Sequence, residues 1–271
     1  MRVESVTSPQ NPKIKELLAL QEKSKLRREK GLFVVEGVRE LEHCAAAGFQ
    51  IDTIFFCPSI LGTSKAFGDL FESGGSLPAE ARLIEIPEEL YAKVAYREGT
   101  EGVIAEVRWK ERNLENLDLG ENPLIAVLEG VEKPGNLGAV LRSADAAGAD
   151  AVIICDPLTD IYNPNLIRAS IGAIFTTKVV TATSAEAIRF LKARGIQILT
   201  AQLQDSEWYY STDMRRGSAI VIGTESTGLT DIWRKAADRH VRIPMLGKLD
   251  SLNASVSAAI LLYEAVRQRN S

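Results

Sequence analysis

The sequence predicts an α/β protein: a small N-terminal α/β sandwich followed by a domain on a mainly parallel sheet. Three observations carry this. From Pro123 onward, strand-length apolar runs ending in Gly-rich turns alternate with helical stretches. Strand-helix-strand alternation of that kind builds a parallel sheet with crossover helices. Residues 1–108 alternate helix and strand in shorter units, with Gly and Pro marking the turns. Between the two, residues 109–122 are polar and charged, the composition of a linker. The division is therefore 1–108, 109–122 and 123–271.

In the first region, Pro9 and Pro12 open a basic helix that Gly31 ends. Residues 32–36 (Leu-Phe-Val-Val-Glu) form a strand, 38–47 a helix closed by Gly48, and 51–57 a second strand stopped by Pro58. A Gly- and Ser-rich loop at 73–76 precedes a third strand at 82–86, and 103–107 completes a small sheet. In the second region, 124–128 is a buried strand, 137–147 a helix ended by Gly148, and 151–155 the next strand. Residues 165–172, 185–193, 197–201 and 219–223 continue the alternation. The run from Ala258 to Val266 is apolar almost all round, which predicts a buried helix, since a surface helix shows a polar stripe.

Composition excludes several classes. A length of 271 residues suits two ordinary domains, and 45% hydrophobic content is that of a globular chain. No run reaches the ~18 apolar residues of a membrane span, and the start lacks the apolar core of a secretion signal. Three scattered cysteines (Cys44, Cys57, Cys155) show no metal-like spacing and fit a reducing cytoplasm. The two histidines, His43 within a helix and His240 ahead of a strand, leave zinc chemistry and a Ser-His-Asp triad without parts. A net charge of −4 argues against a chain basic all over. Even so, residues 11–30 hold seven Lys and Arg against three Glu. Such a helix is either a solvated face or a phosphate-contacting patch. Lys13, Lys25, Arg27 and Arg28 are the candidates for contact, being in the densest positive stretch.

Three motifs carry chemistry. In the first, a strand ends at Glu129, a turn with Gly130 and Gly135 follows, and a helix starts that places Arg142 six residues after Asn136. An Arg in the first turns of a helix at a strand end suits a phosphate, which it grips bidentately. In the second, the strand ending at Gly223 runs into a turn with one carboxylate, Glu225, and a second glycine, Gly228. In the third, Arg242-Ile243-Pro244-Met245-Leu246-Gly247 leads to Ser251, Leu252, Asn253 and Ser255 at the lip of the C-terminal helix. The free N–H groups of that first turn are there to bind something, although Ser and Asn also serve as plain N-caps. Ligands bind at the carboxyl ends of parallel strands, and all three motifs stand at such ends.

In this order, the motifs resemble the SpoU/TrmH family of RNA ribose 2′-O-methyltransferases, part of the SPOUT superfamily. The first matches N-x-G-x-x-x-R through Asn136, Gly138 and Arg142. The second matches G-x-E-x-x-G-L through Gly223, Glu225, Gly228 and Leu229, with Ser226-Thr227 where many members have glycine. The third matches I-P-M-x-G and S-L-N-x-S. Thr7 to Pro12 and Phe33 to Gly37 are similar to the substrate-binding domain of many members, which is like ribosomal kink-turn proteins.

The resemblance implies a C-terminal trefoil knot, S-adenosylmethionine seated in it, an RNA substrate and a homodimer. By position it implies that backbone around Thr200, Gly223, Ile243 and Leu252 holds the cofactor. Arg142, Asn136, Glu225, Ser251 and Asn253 then form the catalytic set. Family accounts give Arg142's position the role of base, but a guanidinium is not deprotonated in proteins. Arg142 therefore reads as a grip on the phosphate beside the target and a stabiliser of the developing alkoxide. The accessory domain puts ribosomal RNA ahead of transfer RNA; a transfer-RNA methyltransferase and a non-catalytic RNA-binding protein stay open as alternatives.

Overall fold

The computed structural model describes residues 3–62, 81–96, 101–224, 227–248 and 251–271. The stretch 73–76, Glu225 and Asp250 lie outside the described residues. Contacts gather the chain into two compact units, Met1–Glu111 with Asp160–Thr176, and Arg112–Thr159 with Thr177–Ser271.

The first unit holds β1 (Val3–Ser5), β2 (Leu32–Glu36), β3 (Ile51–Phe56), β4 (Arg82–Glu85) and β5 (Val103–Arg108), in the sheet order β1-β4-β3-β5-β2. β1, β4 and β3 run parallel, while β5 is antiparallel to both β3 and β2. The expected single basic helix is two helices, Pro12–Glu22 and Ser24–Lys30, because Lys23 between them is extended. Asn11 caps the first by accepting from the Lys13 N–H at 2.9 Å, and Gly31 ends the second in a left-handed conformation (φ 63°). Ile14, Leu17 and Leu20 bury the inner face of the first helix against Phe55, Ile84 and Ile104.

Residues Asp160–Thr176 belong to this unit although the sequence continues them from the second. They carry the helix Pro164–Ser170, which overlaps the 165–172 element of the expected alternation. Aromatic side chains anchor the segment: the Tyr162 ring stacks on Phe33 at 4.3 Å, and Phe175 meets Phe49 edge-on at 5.4 Å. Arg27, expected at an RNA phosphate, is instead 2% exposed and paired to Asp160 at 2.6 Å, with Asp160 3% exposed. Its Nη1 donates to the carbonyls of Leu20 and Gln21 at 2.6 and 3.2 Å. A buried guanidinium with every partner inside the protein is a packing element, so Arg27 is withdrawn from the RNA-contact set.

The second unit holds β6 (Leu124–Glu129), β7 (Ala151–Cys155), β8 (Val179–Ala182), β9 (Gln197–Ala201), β10 (Glu207–Trp208), β11 (Ser218–Ile222) and β12 (Arg239–Arg242). Their order is β10-β12-β9-β11-β6-β7-β8, and every pairing is parallel. β6, β7 and β11 are buried at every residue, as strands covered on both faces must be. The helices Ser184–Ala193 and Asp231–Ala236 pack Phe190, Leu191 and Trp233 against Ile125, Val127, Ile153 and Val221. Helix Pro134–Ala146 packs on β7 and on the C-terminal helix Ala254–Arg269, which also reaches β6 and β11. His240 lies inside β12, not ahead of it.

The C-terminal helix was expected to be buried all round. In the single chain only one face is: Ala258, Leu261, Leu262 and Ala265 are inside, while Val256 and Tyr263 are 46% and 49% exposed.

Candidate active site

Three neighbouring strands, β12, β9 and β11, deliver their carboxyl ends to one edge of the sheet. The end of each lines a single cavity of about 360 Å³: Ala201 closing β9 with Gln202 to Gln204 after it, Gly223, Thr224 and Thr227 to Leu229 after β11, and Ile243 and Met245 after β12. Ser251, Leu252, Ala254, Ser257 and Leu261 of the C-terminal segment complete it. The place is where open parallel sheets bind ligands, and the size suits a small cofactor.

Glycine at 223 is a steric requirement. A Cβ there would lie 2.4 Å from the carbonyl carbon and oxygen of Gly228, so the turn closes only without a side chain. Thr224 and Gly228 bridge antiparallel, and the Thr227 N–H donates to Thr224 Oγ1 at 3.1 Å. The far end of the turn is tied to β6: the N–H and hydroxyl of Thr230 both donate to the Glu129 carboxylate, at 2.8 and 2.5 Å. The second motif is thereby pinned beside the strand from which the first departs.

Of the residues expected at the cofactor, Gly223, Ile243 and Leu252 line the cavity, and so does Ser251 from the catalytic set. Thr200 does not; it is fully buried, with Oγ1 2.6 Å from His240 Nδ1, and its neighbour Ala201 takes the lining position. Asn253 Nδ2 donates to Asn136 Oδ1 at 3.1 Å, bringing the first and third motifs together. Asn253 is also an N-cap, its Oδ1 accepting from the Ser255 N–H and hydroxyl at 2.9 and 2.6 Å. The plain N-cap reading of the Ser-Asn cluster thus holds for Asn253. Arg142 is exposed on the Pro134–Ala146 helix, which packs against the helix that Asn253 caps. Glu225 lies outside the described residues.

Gln202 and Arg234, which no motif contains, also line the cavity, as does Arg242, which opens the third motif but carried no assigned role. The signal for Arg242 was its place just before Ile243, and for Gln202 its place just past a strand end. Burial pushes the Cys155 thiol far up, helped by Asp156 and Glu129 nearby, so it is no nucleophile at neutral pH. In the first unit, Lys25 and Arg28 are exposed and Lys13 half-buried; Lys13 pairs with Glu4 at 2.5 Å and Lys25 with Glu29 at 3.8 Å.

Residues 123–263 match the SpoU rRNA Methylase family, and residues 11–105 match the MRM3-like substrate binding domain. The first match spans over half of the chain. The chain belongs to the SpoU rRNA methylase family. Among its relatives, a 23S rRNA (guanosine-2′-O-)-methyltransferase RlmB from Bordetella pertussis is 42% identical over 62% of this chain and 71% of its own length. A 23S rRNA (uridine(2479)-2′-O)-methyltransferase from Streptomyces viridochromogenes is 30% identical over 96% of this chain and 91% of its own. The crystal structure of the SpoU methyltransferase AviRb from the same organism, in complex with AdoMet, superposes with a TM-score of 0.87 at 29% identity. That superposition covers 97% of this SpoU-family chain and 99% of the other.

Proposed function

We propose that this chain transfers a methyl group from S-adenosylmethionine to a ribose 2′-oxygen of ribosomal RNA. The single observation that carries the proposal is the cavity at the carboxyl ends of β9, β11 and β12, walled by the second and third motifs. The residues fit the cofactor. Ile222, Leu229, Ile243 and Leu252 offer apolar walls suited to an adenine, and Gly223 leaves backbone open where a side chain would fill the turn. When bound, S-adenosylmethionine supplies an electrophilic methyl on a sulfonium.

The chain's own residues then have to bring a 2′-hydroxyl into line and stabilise charge on its oxygen. Holding the reactants aligned removes up to roughly 7–11 kcal/mol of barrier. Arg142 serves as the cationic group: it grips the phosphate beside the target nucleotide and lowers the energy of the developing alkoxide. The pair Asn136–Asn253 fixes the start of Arg142's helix against the lip of the cavity. Ser251 and Glu225 orient the ribose and Arg142. One proton leaves the hydroxyl for each methyl gained, to the gripped phosphate or to solvent.

RNA is the substrate class because the reacting 2′-hydroxyl exists only there. Relatives named for a guanosine and for a uridine are 42% and 30% identical to this chain over the matched residues, so family membership alone does not set the base. The reading includes the family's trefoil knot, a cytoplasmic setting, residues 1–108 as the RNA-binding domain, and a homodimer. A second copy would cover Val256 and Tyr263 on the open face of the C-terminal helix. The test is transfer of tritium from labelled S-adenosylmethionine into ribosomal and transfer RNA, followed by mapping of the modified nucleotide. Label in ribosomal RNA as a 2′-O-methyl ribose is expected; label only in transfer RNA, or on a base, would refute it.

A further inference from the structure

We infer that Gln202 and Arg242 grip the amino-acid end of the cofactor, Arg242 donating to its α-carboxylate and Gln202 accepting from its α-ammonium. This rests on the cofactor reading given above. Buried polar side-chain atoms nearly always find a partner, and each exception asks for a cause. Among the described residues, Gln202 Oε1 and Arg242 Nε are buried without a hydrogen bond, and both residues line the cavity.

The two are neighbours by register. Val241 pairs with Ala201 across β12 and β9, and the Gln202 N–H donates to the Val241 carbonyl at 3.0 Å. Gln202 and Arg242 are the next residues on each chain. The other amide function of Gln202 is spent, since Nε2 donates to the Gln204 carbonyl at 2.8 Å. That fixes Oε1 as the free acceptor.

Arg242 is held by a ring, not by an acid. β10 pairs with β12 so that Trp208 stands opposite Arg242, and the guanidinium carbon lies 4.3 Å from the Trp208 ring centroid. A cation stacked on an aromatic face keeps its N–H edge available for a second partner. The nearby acid Glu207 goes to Arg239, at 4.0 Å, from the same strand.

One unpaired acceptor and one unpaired donor call for a ligand that presents a donor and an acceptor side by side. An α-amino acid carries both on one carbon, with charges that match. An RNA phosphate carries acceptors alone and would leave Gln202 unsatisfied. A nucleobase edge carries both but brings no counter-ion for the guanidinium.

The experiment compares two ligands by calorimetry on the full chain: S-adenosylhomocysteine, which has the amino-acid end, and 5′-methylthioadenosine, which lacks it. Wild type is expected to prefer the former. Arg242→Gln should weaken S-adenosylhomocysteine by roughly ten- to a hundredfold, the range for hydrogen bonds to charged groups. It should leave 5′-methylthioadenosine within about twofold. Gln202→Leu should give the same selective loss, smaller in size, and stands as the second variant if Arg242→Gln does not fold. Equal losses for both ligands would mean that the residues only shape the cavity. Unchanged nucleoside affinities with weaker binding of a ribosomal RNA fragment would assign Arg242 to phosphate. Either result overturns the inference. Wild type binding neither nucleoside would overturn the cofactor reading itself, and this inference with it.

Discussion

Replacing Asp160 by Ala is expected to destabilise the N-terminal unit by about 3–5 kcal/mol, the usual cost of leaving a buried charge without its partner. The Arg27 guanidinium it pairs with is 2% exposed and 2.6 Å away, so water does not take the carboxylate's place. The Leu20 and Gln21 carbonyls still accept from Nη1, but as neutral dipoles they offset only part of the charge. Asp160 Oδ1 also accepts from the Tyr162 N–H at 2.9 Å, which adds about 1 kcal/mol to the loss. Arg27→Met should cost a similar amount from the other side. The double variant Arg27→Met with Asp160→Leu should lose less than the two singles together by about 2 kcal/mol or more, because neither charge is then stranded. Hydrogen exchange of the amides of residues 12–36 against urea gives the stability of this unit by itself. A cost below about 1 kcal/mol for Arg27→Met, together with weaker RNA binding, would refute the buried-pair reading and return Arg27 to the surface set.

Further outcomes follow from other sites. Burial, with Glu16 and Asp52 close by, raises the Glu106 carboxyl from 4.5 to about 7. Its contribution to stability is therefore complete below pH 4.5 and lost as pH rises through about 7, roughly 3 kcal/mol in all. Glu106→Gln should flatten that slope and be more stable than wild type at pH 8; an unchanged slope in urea titrations refutes it. Arg142→Ala should cut methyl transfer by at least ~10²-fold while leaving S-adenosylhomocysteine affinity intact, and equal loss of both would make the residue a cofactor ligand. Changing Lys13, Lys25 and Arg28 to Gln should reduce the salt slope of RNA binding by up to about three, one per phosphate contact. Parallel slopes for variant and wild type would leave the helix as a solvated face.

What the sequence made legible follows a physical division. β6, β7 and β11 were readable because both faces of each are covered, which writes an unbroken apolar run into the chain. β1 (Val-Glu-Ser) and the two-residue β10 are exposed edge strands whose side chains need no such pattern, and neither was foreseen. The segment Asp160–Thr176 shows the limit most clearly. An element at 165–172 was readable from local pattern, but Tyr162 and Phe175 look the same whichever core they fill, and only Phe33 and Phe49 decide it. Arg27 failed for the same reason: a run of positive residues does not say which one turns inward, and the break at Lys23 removes any helical register from Leu20 to Arg27.

The site divides likewise. Gly223 was legible because a turn that brings backbone within 2.4 Å of a would-be Cβ restricts residue type, and Ile243, Ser251 and Leu252 because they stand in motifs at a strand end and a helix start. Gln202 left none, and Arg242 opens the third motif without its role being readable there. Their significance lies in what they do not bond, and an unsatisfied donor or acceptor is a property of three-dimensional surroundings that no spacing encodes. Backbone-shaped features of a binding site are thus readable from sequence, while side chains that meet a ligand's charges emerge only once their neighbours are known.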